Sequence, residues 1–185
     1  MKRWMMIGLL MSLSSATIYA QESDKLHLSG SLQSDMLLAQ KDSATGAEAT
    51  GSRFRMNTYL DLRLSNRYFE AGARLEYMPH PLPGYESDFK GWGVPYAYLK
   101  GRYKNAELTL GSFYEQFGSG FILRSYEERS LGIDNSLQGA RLNYLPCAGV
   151  AVKLLTGRQR RYWHHNKSWM TGADVEWSID EQCKF

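Results

Sequence analysis

RFRMNTYLDLRL, residues 53–64, alternates without a break. Phe54, Met56, Thr58, Leu60, Leu62 and Leu64 fall on one side; Arg53, Arg55, Asn57, Tyr59, Asp61 and Arg63 fall on the other. A period of two over such a length predicts a β-strand with one apolar face and one face bearing charge. A helix would scatter the same arginines around its whole circumference. Residues 65–67 then read as a tight turn, and residues 68–78 repeat the pattern, with Phe69, Ala71, Ala73, Leu75 and Tyr77 opposite Glu70, Arg74 and Glu76.

Working outward, the pattern recurs at 26–39, 94–103, 106–113, 137–145, 148–156 and 172–178, with short turns at 104–105 and 146–147. Eight strands are therefore predicted and no convincing helix. The intervening segments alternate between long (40–52, 79–93, 114–136, 157–171) and short. Barrels of bacterial outer membranes have short periplasmic turns, long external loops and apolar-out, polar-in strands of roughly 9–11 residues. The expected fold class is all-β, an antiparallel up-and-down transmembrane β-barrel, and Tyr59, Tyr68, Tyr77, Tyr96, Tyr103, Phe113, Tyr144 and Trp177 are read as strand-end aromatics of its girdles. An exported soluble β-sandwich also alternates, and is the alternative: a binding module recognising glycan through aromatic loops.

The first twenty residues stand apart. Lys2 and Arg3 precede an apolar run at 4–13, small residues follow, and Ala20 precedes the polar Gln21, the layout of a cleaved signal peptide over 1–20 with the β domain at 21–185. Removing Lys2 and Arg3 takes the Lys and Arg count from 22 to 20 against 19 Asp and Glu, a net charge of +1. That near-neutral balance argues against nucleic acid as a partner, which needs a clustered basic face. Cys147 and Cys183 are the only cysteines. Export permits a bridge between them, but two residues make no framework, and no CxxC or HxxxH spacing suggests zinc.

The segment 114–136 carries the densest chemistry. Glu115 and Gln116 open a glycine-punctuated turn through Gly118 and Gly120, which lacks the Lys-Ser/Thr of a phosphate loop. Beyond Phe121-Ile122-Leu123 come Arg124, Tyr126, Glu127, Glu128, Arg129 and Asp134. Folded into a lumen lined by Arg53, Arg55, Asp61, Arg63, Glu70, Arg74 and Glu76, these groups would set solute selectivity through a transverse field, or hold a sugar. Alternatively they pair with one another and with inward arginines, and simply fix the loop. Trp163, His164, His165 and Trp169, beside Arg158, Arg160 and Arg161, read as an exposed basic–aromatic loop for lipopolysaccharide or glycan, or as a merely solvated one. Adjacent histidines in extended chain point apart, so no metal is assigned. No Ser/His/acid trio has a motif context, so no enzyme activity and no cofactor are expected.

The run GSFYEQFGSGFILRSYEERSLGIDNSLQGARLNY (Gly111–Tyr144) and the later GADVEWSID (Gly172–Asp180) resemble hallmark segments of an uncharacterised family, a domain of unknown function, of outer-membrane β-barrel proteins from Bacteroides-like bacteria. The resemblance implies a location, the bacterial outer membrane with its lipid as partner, and a barrel architecture. It implies no activity, so no catalytic residue is carried over. Eight strands can close as a complete barrel; family members look longer, so the favoured expectation is that these residues form the N-terminal part of a larger one.

Overall fold

The computed structural model describes residues 25–40, 44 and 52–178. The expected leader at 1–20, most of the segment 40–52, Cys183 and Phe185 lie outside the described residues. All eight long strands form: β1 (His27–Leu38), β2 (Phe54–Ser65), β3 (Phe69–His80), β4 (Gly91–Tyr103), β5 (Ala106–Phe113), β8 (Leu137–Cys147), β9 (Val150–Arg161) and β11 (Met170–Trp177). Three two-residue strands lie between them: β6 (Glu127–Glu128), β7 (Ile133–Asp134) and β10 (His164–His165). Helical structure among the described residues is limited to 3₁₀ turns at Ser87–Phe89 and Arg129–Leu131.

The long strands form one antiparallel meander in the order β1-β2-β3-β4-β5-β8-β9-β11. β1 pairs only with β2 and β11 only with β9, so no closed barrel is found among the described residues. Because side chains alternate, register decides which residues share a face. On one face Leu32 lies opposite Leu60, Leu60 opposite Leu75, Leu99 opposite Leu110, Leu108 opposite Leu142, and Leu142 opposite Leu154. On the other, Asp61 meets Arg74, Glu70 meets Lys100, Arg102 meets Glu107, and Asp174 meets Lys153. Opposite charges directly across a ladder favour this register over a slipped one.

The two faces are buried in the reverse of the usual sense. Leu62 is 50% exposed, Leu99 51% and Trp177 71%, whereas Glu76 is 1% exposed and Arg160 4%. The connections 79–93 and 114–136 fold over the charged face and bury it. Two small apolar clusters seat them there. Phe113, Phe117, Leu137 and Leu155 gather Leu123 and Met170, and Tyr59, Met78 and Phe89 gather Tyr85 and Tyr162.

Several expectations are corrected. Tyr59, Tyr96 and Phe113, read as girdle aromatics, face inward: Tyr59 and Phe113 are buried as the apolar seats of loops, and Tyr96 stacks on Tyr114. The turn expected at 146–147 falls at Ala148–Gly149. A register shift between Tyr144 and Cys147 carries Pro146 through the strand end, and Gly149 takes the left-handed φ of +80° that the turn requires. β9 runs on to Arg161 and turns at once into β10, so 157–165 is a strand and tight hairpin, not an open loop. Cys147 is disulfide-bonded.

Candidate functional site

The connection between β5 and β8, residues 114–136, lies against the charged face of the sheet. Its first part is a small hairpin closed by the Gln116–Arg124 bridge, with the Phe117 amide donating to the Leu123 carbonyl at 3.0 Å. Gln116 Nε2 braces the turn on the Gly118 carbonyl (2.9 Å), and the Arg124 guanidinium lies 4.8 Å from the Tyr126 ring centroid. Phe117 drops onto β11 over Gly172. A Cβ at that glycine would stand 2.7 Å from Phe117 Cε2, so only glycine admits the ring. The second part is the β6–β7 pair around the 3₁₀ turn. Glu128 is exposed there and accepts from the Ser130 amide (3.2 Å) and hydroxyl (2.6 Å), bonds that lower its carboxyl below the usual range.

Three acids of this connection each dock on a cation of a different strand. Glu127 Oε1 accepts from Arg74 Nη1 of β3 at 2.8 Å. Glu115 Oε2 accepts from Arg141 Nη1 of β8 at 3.1 Å. Asp134 accepts from Arg160 Nη1 of β9, whose guanidinium also grips Glu76 of β3 at 3.1 and 2.7 Å. One cation points the other way: Arg129 donates to Glu127 (2.8 Å) and to Gln33 Oε1 of β1 (2.7 Å), stands 3.6 Å from Asp61, and caps the Tyr59 ring at 4.1 Å. Burial pulls the Arg129 guanidinium downward, but the hydrogen bond and charge of Glu127 outweigh it and raise it overall. The connection thus reaches from β1 to β11 across the whole sheet.

Charge-assisted bonds of this kind are short, directional and strong in a site shielded from water. Arg74 is shared between Asp61 (2.7 Å) and Glu127, and Arg141 between Glu115, Glu107 (3.2 Å) and Thr109 (3.3 Å). Each guanidinium therefore joins wall and loop. Burial, followed by the nearby Asp134 and Glu127 charges, pushes the Tyr114 hydroxyl far above its ordinary range, so it remains neutral. The arrangement contains positioned charge and aromatic surface.

Of the residues singled out in the sequence, Asp61, Arg74, Glu127 and Arg129 come together, while Glu115 and Asp134 dock separately on Arg141 and Arg160. Gln116, Arg124, Tyr126 and Glu128 act within the loop itself. Of the first basic residues of the alternating stretch, Arg53 is exposed, Arg55 donates to the Pro81 carbonyl (3.1 Å), and Arg63 lies 3.9 Å from Glu70 with most of its side chain in the open. Arg160, expected in an exposed loop, is instead the most buried of these cations, because β9 is longer than the pattern predicts. Trp163 likewise packs over Gly91 and Gly93, while Trp169 stays exposed beside Arg158. Arg141 was passed over, although its place on the polar parity of 137–145 was a usable signal.

A family model described as a family of unknown function (DUF6029) matches residues 1–185. No curated protein and no solved structure matches the chain.

Proposed function

The chain belongs to this family of unknown function, and we propose that the protein is a non-enzymatic outer-membrane β-barrel protein, porin-like, exported through the signal peptide at 1–20. In this reading the meander is an arc of the barrel wall, and the connection 114–136 lies in the lumen and narrows it.

One observation carries the proposal: the exposed face of the sheet is the apolar one. Across the eight long strands its positions are Leu, Val, Met, Ala, Gly and aromatics. Its hydroxyls are paired with each other, Ser34 with Thr58 (2.8 Å) and Thr156 with Thr171 (3.0 Å), as suits a surface facing hydrocarbon. Gln138 and Arg158, opposite each other near the loop end, are the larger polar groups. Aromatics stand at both ends of this face, Phe54, Tyr77 and Trp92 toward the loops, and Tyr103, Tyr144 and Trp177 toward the turns. Trp92 and Tyr103 are eleven residues apart on β4. That is about 36 Å along an extended strand, or about 28 Å along an axis from which strands tilt by roughly 40°, against an apolar band about 25 Å tall.

A soluble sandwich would cover the exposed leucines with a second sheet. Among the described residues the only separate sheet is the two-residue pair β6–β7, which lies on the opposite, charged face. Among the described residues β1 and β11 each keep one unpaired edge, which extends the reading. In a bilayer each unsatisfied backbone group costs several kcal/mol, so the arc joins further strands in the assembled barrel. Cell fractionation followed by electrophoresis tests this. The protein should sediment with outer membranes, need detergent for release, and migrate faster unboiled than boiled. A folded, water-soluble monomer would overturn it.

A further inference from the structure

Beneath the loop, on the side of the short turns, the concave face forms a half-open cavity of about 920 Å³. We infer that this cavity binds a neutral oligosaccharide, a ligand whose lumenal position rests on the barrel reading above.

The charges of the wall argue for neutrality. Arg63 and Lys100 stand 3.9 and 3.8 Å from Glu70, Lys100 also stands 3.9 Å from Glu107, and Arg74 is bonded to Asp61 at 2.7 Å. Arg141 is 3.2 Å from Glu107 and 3.1 Å from Glu115. An anion or a cation would have to compete with an existing partner and leave a carboxylate or guanidinium without its counter-ion. A polyhydroxyl ligand need not. Its hydroxyls both donate and accept, so they engage the remaining lone pairs and N–H groups of pairs that stay intact.

The aromatic wall argues for a sugar over a smaller polar solute. Tyr96 stacks on Tyr114 with centroids 5.3 Å apart and planes at 18°, and Tyr98 meets Tyr96 edge-on at 5.8 Å. Tyr98 is fixed further by its hydroxyl bond to Glu70 (2.5 Å) and by lying against Gly72. Three locked rings beside a row of hydroxyls from Ser29, Ser31, Thr109 and Ser112 combine apolar surface with convergent polar groups, the usual make-up of a ligand pocket. The volume sits near the top of the roughly 300–1,000 Å³ range of such pockets, enough for several sugar rings.

The test is calorimetric titration of the full chain in detergent micelles, with the heat-modifiable band recorded on the same sample. The probes are neutral trisaccharides (maltotriose, cellotriose and mannotriose), trigalacturonate as the anionic counterpart and the glucosamine trimer as the cationic one. At least one neutral trisaccharide should bind, and both charged trimers should bind at least about tenfold more weakly. Tyr96→Ala should weaken the neutral ligand by about tenfold or more, whereas Tyr96→Phe, which keeps the ring, should not. Equal or tighter binding of a charged trimer, no neutral binding by heat-modifiable protein, or no loss in Tyr96→Ala overturns the site and leaves the barrel standing. Sugar binding by a water-soluble folded monomer does the reverse.

Discussion

Replacing Arg160 by methionine should be the most damaging single change on the inner face. Its guanidinium makes two bonds to Glu76 (3.1 and 2.7 Å), one to Asp134 and one to the Tyr162 carbonyl (2.7 Å). The side chains of Arg160, Glu76 and Asp134 are 1%, 2% and 7% exposed. Methionine keeps much of the stem volume but leaves two buried carboxylates facing one another without a cation. Removing one partner from a buried pair costs about 3–5 kcal/mol, mostly from the stranded charge. Arg63→Met is the control, since that side chain is 61% exposed and 3.9 Å from its acid; an exposed pair contributes about 0–1 kcal/mol. Urea titration of both variants in lipid vesicles, followed by the heat-modifiable band, should separate them by about 3 kcal/mol, more than a hundredfold in the unfolding constant. Adding Glu76→Gln to Arg160→Met should recover part of the loss, because it removes one of the stranded charges. If Arg160→Met lies within about 1 kcal/mol of Arg63→Met, the claim that this network fastens the loop to the wall is wrong.

Other consequences follow from the same geometry. Gly172→Ala places a methyl 2.7 Å from Phe117 Cε2, so the ring must leave β11, at a cost of about 1–3 kcal/mol; amide exchange across 116–124 should rise. Glu127→Gln weakens the bonds to Arg74 and Arg129, and planar-bilayer recordings should show a larger or noisier conductance; an unchanged trace would mean that the loop does not narrow the lumen. Leu62→Arg, on the exposed face, should destabilise the vesicle-inserted protein by about 2–4 kcal/mol, whereas a position facing water would tolerate it within about 0.5 kcal/mol.

The strands were legible because alternation is a local property. Leu60 and Asp61 point to opposite faces whatever the rest of the chain does. The docking of the loop was not legible in the same way. Whether Glu127 reaches Arg74 or another guanidinium depends on registers such as Asp61 opposite Arg74, and those depend on the summed pairing of every neighbouring strand. Arg160 was misplaced because Gly157 looks like the end of a strand, while in the folded sheet it faces Gly139 across the β8–β9 ladder and the strand continues. Tyr59 was misjudged for a different reason. Its parity marks it as inward and it sits in mid-strand, so a strand-end headgroup contact is ruled out, but only the arrival of Arg129 and Tyr85 from distant loops gives the ring its partners.

The central claim is that the exposed apolar face meets lipid. Trp92 and Trp177 lie on that face, 73% and 71% exposed, whereas Trp163 packs over Gly91 and Gly93 away from it. Single-tryptophan proteins retaining each in turn, with the other tryptophans changed to phenylalanine, can be reconstituted into vesicles of brominated phosphatidylcholine and their fluorescence compared with that in unbrominated lipid. Strong quenching of Trp92 and Trp177 with Trp163 spared is the predicted result. Trp92 and Trp177 untouched by bromine but quenched by aqueous iodide would contradict it.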